Sequence, residues 1–236
     1  MPDRADDDPS LDLYDRAVEG VRQRIERATE EQHLFAAIGW GLAQLDRAYA
    51  DTPARIRRTV ACRAGCDFCC HGPVDVQAHE VFYAAQHIEA NLPPEQIAAL
   101  IDRLAAHRAR VEPLTDAQRQ TGRAPCALLQ AGSCSIYAGR PAACRAHHTS
   151  DAAVCQAHHA DPTVNLEKVY VPALRARMFG VMLGVDEAVE SCGYDPRAYD
   201  FGSALHVALT DERSFDRWLQ GEAAFPDSCL ADGDPA

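Results

Sequence analysis

The side chains best equipped for chemistry in this chain are its cysteines. Ten occur in 236 residues, none precedes Cys62, and eight fall between Cys62 and Cys155. An oxidising compartment would make such a cluster a disulfide framework. In a reducing one, thiolate ligation of metal is the better reading. Cys62, Cys66, Cys69 and Cys70 spell C-x3-C-x2-C-C, where steps of four and three residues turn three sulfurs toward one point on a helical or knuckle-like turn. Adjacent side chains diverge by about 100° around a helix and about 180° along a strand. The spacing therefore predicts separate duties: Cys69 joins Cys62 and Cys66, while Cys70 serves a second centre completed downstream, with one larger shared cluster as the alternative. The downstream set is Cys126, Cys134, Cys144 and Cys155, interrupted by Gly132, Gly139 and Pro141, residues that let backbone turn sharply around a site.

Eight thiols suffice for two four-sulfur sites, and soft thiolate selects zinc or iron-sulfur over magnesium or calcium. The expected cofactor is an iron-sulfur cluster, 4Fe-4S among the forms, or Zn. Arg55, Arg57, Arg58, Arg63, Arg140 and Arg145 lie close by in sequence to offset thiolate charge, although the three before Cys62 serve equally well as plain surface charge. His71, His147, His148, His158 and His159 are secondary ligand candidates, His71 foremost because it follows Cys70, and solvent-facing imidazole is the ordinary alternative. Glu80 reads as a partner of a ligand, a base beside an open metal position, or a solvated helix carboxylate. Cys192 and Cys229 stand outside the constellation as core or free thiols.

These motifs resemble a known family, the YkgJ-type cysteine-cluster proteins, described as zinc- or iron-chelating. The resemblance rests on Cys62-Arg-Ala-Gly-Cys66-Asp-Phe-Cys69-Cys70, on Glu80, on Pro125-Cys126-Ala-Leu-Leu, on Cys134-Ser-Ile-Tyr137, on Arg140-Pro141-Ala-Ala-Cys144-Arg145 and on Cys155. It covers roughly Cys62 to Gln156 and implies metal chelation by eight cysteines. A similar cysteine motif occurs in flagellin lysine N-methylase, where it suggests an iron-sulfur cluster linked to methyl transfer. That makes an iron-sulfur-dependent group-transfer enzyme the alternative function. Cys62-x3-Cys66-x2-Cys69 also fits the radical S-adenosylmethionine motif, but those enzymes need a barrel of parallel strands and the flanks here read helical.

Net charge narrows the partners. With 35 acidic against 23 basic residues the formal charge is -12, which repels a phosphate backbone, so no nucleic acid is expected. The single lysine, Lys168, leaves no G-x4-G-K phosphate loop. No apolar run approaches the roughly 20 residues of a membrane helix, and Met1 to Ser10 is acidic and proline-bearing. The expectation is a cytoplasmic protein with no membrane contact and no protein partner specified.

The elements that must position the thiols read as helices. Tyr14, Val18, Val21, Ile25 and Ala28, then Leu34, Ile38, Leu42 and Leu45, form one apolar stripe on a long helix or on two broken near Gly39 and Gly41, glycines suited to close packing. Val81, Phe82, Ala85 and Ile88 form another face, Ile97, Leu100, Ile101, Leu104 and Val111 a third, and Tyr170, Leu174, Met178, Val181, Val185 and Val189 a fourth. Shorter helical pieces are expected around Ala204 to Leu209 and Ser214 to Leu219. Between Thr115 and Ser150 periodicity fades into Gly, Pro and Cys. The expected fold class is mainly α, a helical domain wrapped around an irregular cysteine-rich metal-binding segment. Its expected divisions are a flexible 1–10, a helical 11–60, a metal-binding 61–160, a helical 161–225 packing on it, and a flexible 226–236.

Overall fold

The fold is mainly α. The computed structural model describes residues 9–228 and 230; the expected flexible ends, and Cys229, fall largely outside them. In chain order the elements are α1 (Pro9–Glu26), α2 (Glu31–Ala50), α3 (Ala54–Arg57), β1 (Asp75–Gln77), α4 (Ala78–Asn91), α5 (Pro94–Val111), α6 (Asp116–Thr121), β2 (Leu129–Gln130), β3 (Ser133–Cys134), α7 (Ala142–Ala146), α8 (Ala152–Ala160), α9 (Pro172–Ser191), β4 (Ala198–Asp200), α10 (Phe201–Ala208) and α11 (Arg213–Leu219). No helix among the described residues is long and apolar enough to cross a membrane. The chain packs as two compact units that interleave in sequence. The first runs to Cys66 and takes up Ala142–Cys192, and the second takes Asp67–Pro141 and resumes at Gly193.

In the first unit α1, α2 and α9 pack together. Val21 and Ile25 turn inward from α1, with Ala17 beside them, while Val18 is half-buried. Leu34, Ile38, Leu42 and Leu45 are buried from α2, and Leu174, Met178, Val181, Val185 and Val189 from α9, each at the spacing that marks one helix face. Met178 is core filling. The helix break expected near Gly39 and Gly41 falls earlier, where Glu30 adopts an extended conformation (φ -141°, ψ 156°) and opens α2. Gly41 lies inside α2 and has another use. A Cβ there would stand 2.9 Å from Val21 Cγ2 and 3.0 Å from Val185 Cγ2, so its absence lets three helices meet and offsets the roughly 1 kcal/mol that glycine costs a helix.

In the second unit β1 and β4 pair antiparallel, Asp75 opposite Asp200 and Val76 opposite Tyr199. Each strand leads directly into a helix, β1 into α4 and β4 into α10, so one short ladder fixes two helix starts. The Phe201 N–H donates to the Val74 carbonyl at 3.0 Å and extends that link. Phe82 from α4 meets Phe215, Trp218 and Phe225 at ring separations of 5.1–5.3 Å, and Tyr194 stacks on Trp218 at 4.7 Å. Tyr199 and the backbone N–H of Ala224 both donate to the buried carboxylate of Asp195.

His79 on α4 is fully buried, and burial pulls its pKa down to about 3. Its folded pKa lies below the ordinary 6.5, so the neutral ring's contribution to stability is complete above pH 6.5 and is lost as pH falls toward 3. In that window each pH unit costs about 1.4 kcal/mol from this one group. Urea unfolding at pH 7, 5.5 and 4 should show that slope in the wild type and a shallower one in His79→Gln. Identical slopes would contradict the assignment.

Candidate metal centre

The boundary between the packing units falls inside C-x3-C-x2-C-C, between Cys66 and Asp67. Four of the eight candidate cysteines consequently lie in each unit: Cys62, Cys66, Cys144 and Cys155 in the first, and Cys69, Cys70, Cys126 and Cys134 in the second.

In the second unit Phe68–His71 forms a single turn of 3-10 helix. The Cys69 and Cys70 thiols hydrogen-bond to each other there. The 100° argument holds for an extended helix. A lone turn leaves two short side chains free to rotate toward one another about Cα–Cβ. Cys126 is brought to this turn by its own backbone, its N–H donating to the Cys70 carbonyl at 2.8 Å, and Ala124 N–H donates to the His71 carbonyl at 2.9 Å. Cys134 arrives on a hairpin. Gln130 and Ser133 pair across a two-residue turn in which Ala131 and Gly132 both take positive φ, 48° and 73°, the conformation that matches strand twist. That hairpin is tied back by Leu129 N–H to the Cys126 carbonyl, 2.9 Å, and Arg103 from α5 donates to the Ala127 carbonyl at 3.0 Å.

Charge reports the same grouping. The bond with Cys69 is the largest influence on Cys70 and lowers its thiol to about 7 against burial and the charge of Asp67. Burial pushes Cys126 up to about 11, with Cys134 and Cys70 adding to the rise, and burial likewise raises Cys134, with Cys70 adding and Arg140 opposing. Arg140 also covers the Tyr137 ring at 3.6 Å, so its proximity to the thiols agrees with the expected role.

In the first unit the thiols converge on Thr149. Its hydroxyl lies 3.0 Å from Cys155 Sγ and 3.9 Å from Cys62 Sγ, and its carbonyl accepts from Ala61 N–H at 2.8 Å. The Cys62 thiol also points at the His147 carbonyl, 3.9 Å away. Burial raises the Cys155 thiol, and the charges of Cys62 and Cys66 act in the same direction. Cys144, exposed on α7, lies three residues before His147. Arg145 beside it is buried and pairs with Asp46 at 2.7 Å. Nothing in the sequence marked Thr149.

The histidines have partners of their own. His71 Nδ1 lies 3.1 Å from the Asp67 carbonyl, and His158 Nδ1 donates to the Val164 carbonyl at 2.6 Å. The His148 ring stacks on Tyr49 and the His147 ring meets Tyr170 edge-on. Burial lowers the pKa of His147, with the charges of His148, Arg175 and His158 adding to it. Glu80 is not a solvated carboxylate. It is buried and accepts the Gln77 N–H at 3.0 Å, closing a capping box at the start of α4. Cys192 is a half-buried free thiol at the end of α9.

A narrow cavity of about 30 Å3 touches Cys126 and is lined by Val74, Leu104, Leu128 and Phe201, with His107 and Asp200 at one side. It has room for about one water. Asp200 there accepts from Ser203 Oγ at 2.7 Å and shares a 2.9 Å hydrogen bond with His107 Nε2. Burial raises its pKa, but the bonds from His107 and Ser203 outweigh burial and hold it below the ordinary carboxylate value.

The donor set fits a soft metal. Eight thiols with no carboxylate among them suit zinc or an iron-sulfur cluster, and none of them belongs to a group of three ligand atoms within 4.8 Å among the described residues.

Residues 61–168 match the CxxCxxCC family model, described as "Putative zinc- or iron-chelating domain". Neither a curated protein nor a solved structure matches the chain.

Proposed function

We propose that this is a metal-binding protein of a reducing, cytoplasmic compartment, in which Cys62, Cys66, Cys69, Cys70, Cys126, Cys134, Cys144 and Cys155 hold an iron-sulfur cluster, zinc or both. The observation that carries the reading is the convergence of thiols from distant parts of the chain. Cys126 and Cys134 reach the Phe68–His71 turn across more than fifty residues, and Cys155 reaches Cys62 through Thr149. The matched domain supports it. Bound metal supplies the bonds that order these segments. The chain's own residues deliver the thiols, through the two-residue hairpin at Ala131-Gly132 and the backbone links to Cys70 and His71. The raised thiols of Cys126, Cys134 and Cys155 give up protons on binding, so affinity rises with pH.

The group-transfer alternative requires an open coordination position beside a substrate pocket. The cavity at Cys126 is the size of one water and offers no such room, so metal binding is the function favoured here.

The test is anaerobic purification followed by elemental and sulfide analysis and visible absorption. Iron with acid-labile sulfide and a brown spectrum, or colourless zinc, is the expected outcome. Folded, reduced protein without metal would refute it.

A further inference from the structure

We infer that the cleft formed by α5, α10, α11 and the Phe225–Asp227 segment is a binding site for a small organic anion, an apolar body that carries one carboxylate or phosphate group. The inference is independent of metal binding, because no candidate ligand cysteine lines this cleft.

The cleft has a volume of about 320 Å3, large enough for a small molecule, and all of its walls belong to the second unit. Val207, Pro226 and the fully buried Phe225 give it an apolar side. Arg108 and Arg217 give it two guanidinium groups, on side chains only 26% and 23% exposed. Each has N–H groups to spare. Arg217 commits Nε and Nη2 to the Ala224 carbonyl, at 3.2 and 2.8 Å, and Nη2 also to Asp211 at 3.0 Å, which leaves Nη1 without a partner among the described residues. Arg108 makes a single side-chain bond, from Nη2 to Asp227 at 3.2 Å.

The two carboxylates of the cleft are held differently. Asp211 is engaged at both oxygens, by Arg217 and by the Arg213 N–H at 3.1 Å. The Asp227 side chain is 77% exposed and has Arg108 as its one partner. An ion pair so open to water adds little to stability. Asp227 is therefore a displaceable placeholder, occupying on Arg108 the position that a ligand's oxyanion would take. An incoming carboxylate or phosphate can release it into water and engage the guanidinium by two parallel hydrogen bonds. The apolar side of the cleft then receives the rest of the ligand, which selects an organic anion over an inorganic one.

The test is titration of the full-length protein, as purified, with benzoate, phenyl phosphate, benzamide and inorganic phosphate, followed by backbone amide chemical shifts. Saturable shifts at Val207, Thr210, Asp211, Phe225 and Asp227 are expected with benzoate, phenyl phosphate or both, and the stronger of the two names the head group. Benzamide, which keeps the ring without the charge, and inorganic phosphate, which keeps the charge without the ring, are expected to bind far more weakly. Arg108→Gln should weaken binding about tenfold, as loss of a charge-assisted hydrogen bond does. Asp227→Asn should strengthen it, because the competing carboxylate is gone. Should Arg108→Gln fail to fold, Val207→Trp, which fills the cleft, must abolish the shifts. No saturable binding of either organic anion, equal binding of benzamide or of inorganic phosphate, or an affinity indifferent to these cleft variants would overturn the proposal. Weaker binding by Asp227→Asn would overturn the placeholder role.

Discussion

Removing the metal is expected to loosen the cysteine-bearing segments around 61–72 and 122–141 far more than the helices that flank them. Between Thr121 and Ala142 the regular structure amounts to two two-residue strands and one 3-10 turn, and the buried apolar side chains there are few: Ala127, Leu128 and Ile136. Such a segment cannot offset its own backbone entropy of about 1–2 kcal/mol per residue. The helices α1, α2 and α9 are in a different position, since each buries a full stripe against the others. Structural zinc sites in peptides release about 10–16 kcal/mol on binding, and even a third of that corresponds to more than about two powers of ten in an opening equilibrium. Hydrogen exchange with and without chelator should therefore show protection collapsing in the two cysteine segments and persisting in α1, α2 and α9. Uniform loss, or none, would contradict the account.

The second large effect is expected at Trp218. This residue is fully buried on α11 and meets Phe82, Phe215 and Tyr194. Trp218→Ala should cost about 3–5 kcal/mol, the lost transfer energy plus that of the cavity left behind. Its neighbour Leu219 is 41% exposed, and Leu219→Ala should change stability by less than about 0.5 kcal/mol. Urea unfolding midpoints for the two variants compare them directly. Similar midpoints would mean that the aromatic cluster does not hold the second unit together.

Helix faces were the legible part of this fold. Val81, Phe82, Ala85 and Ile88 are buried from α4 as their spacing requires, and so are the five apolar residues from Leu174 to Val189 on α9. Periodicity reports a face, however, and not the partner it meets, so the interleaving of the two units is absent from the pattern. The β1–β4 pair was illegible for another reason: three residues are too few to display alternation, and the strands stand more than a hundred residues apart. Glu80 carried a usable signal, since it stands three residues after the cap at Gln77, but a glutamine cap lies outside the Ser, Thr, Asp or Asn pattern that marks most capping boxes.

At the site, the residue types pointed to the chemistry, while the meeting of the Cys69 and Cys70 thiols was not legible in their spacing. The argument about Cys69 and Cys70 assumed regular backbone on both sides. Their thiols meet because the chain makes only a single turn there before leaving as coil. His107 and Asp200, which flank the cavity at Cys126, are 93 residues apart and were marked by no local motif.

The most direct measurement of the central claim is X-ray absorption at the iron and zinc edges of the anaerobically purified protein. Ligation by the clustered cysteines predicts a first coordination shell made of sulfur, at about 2.3 Å for zinc. A shell dominated by nitrogen or oxygen at about 2.0–2.1 Å would contradict it and shift the metal to histidine or carboxylate ligands.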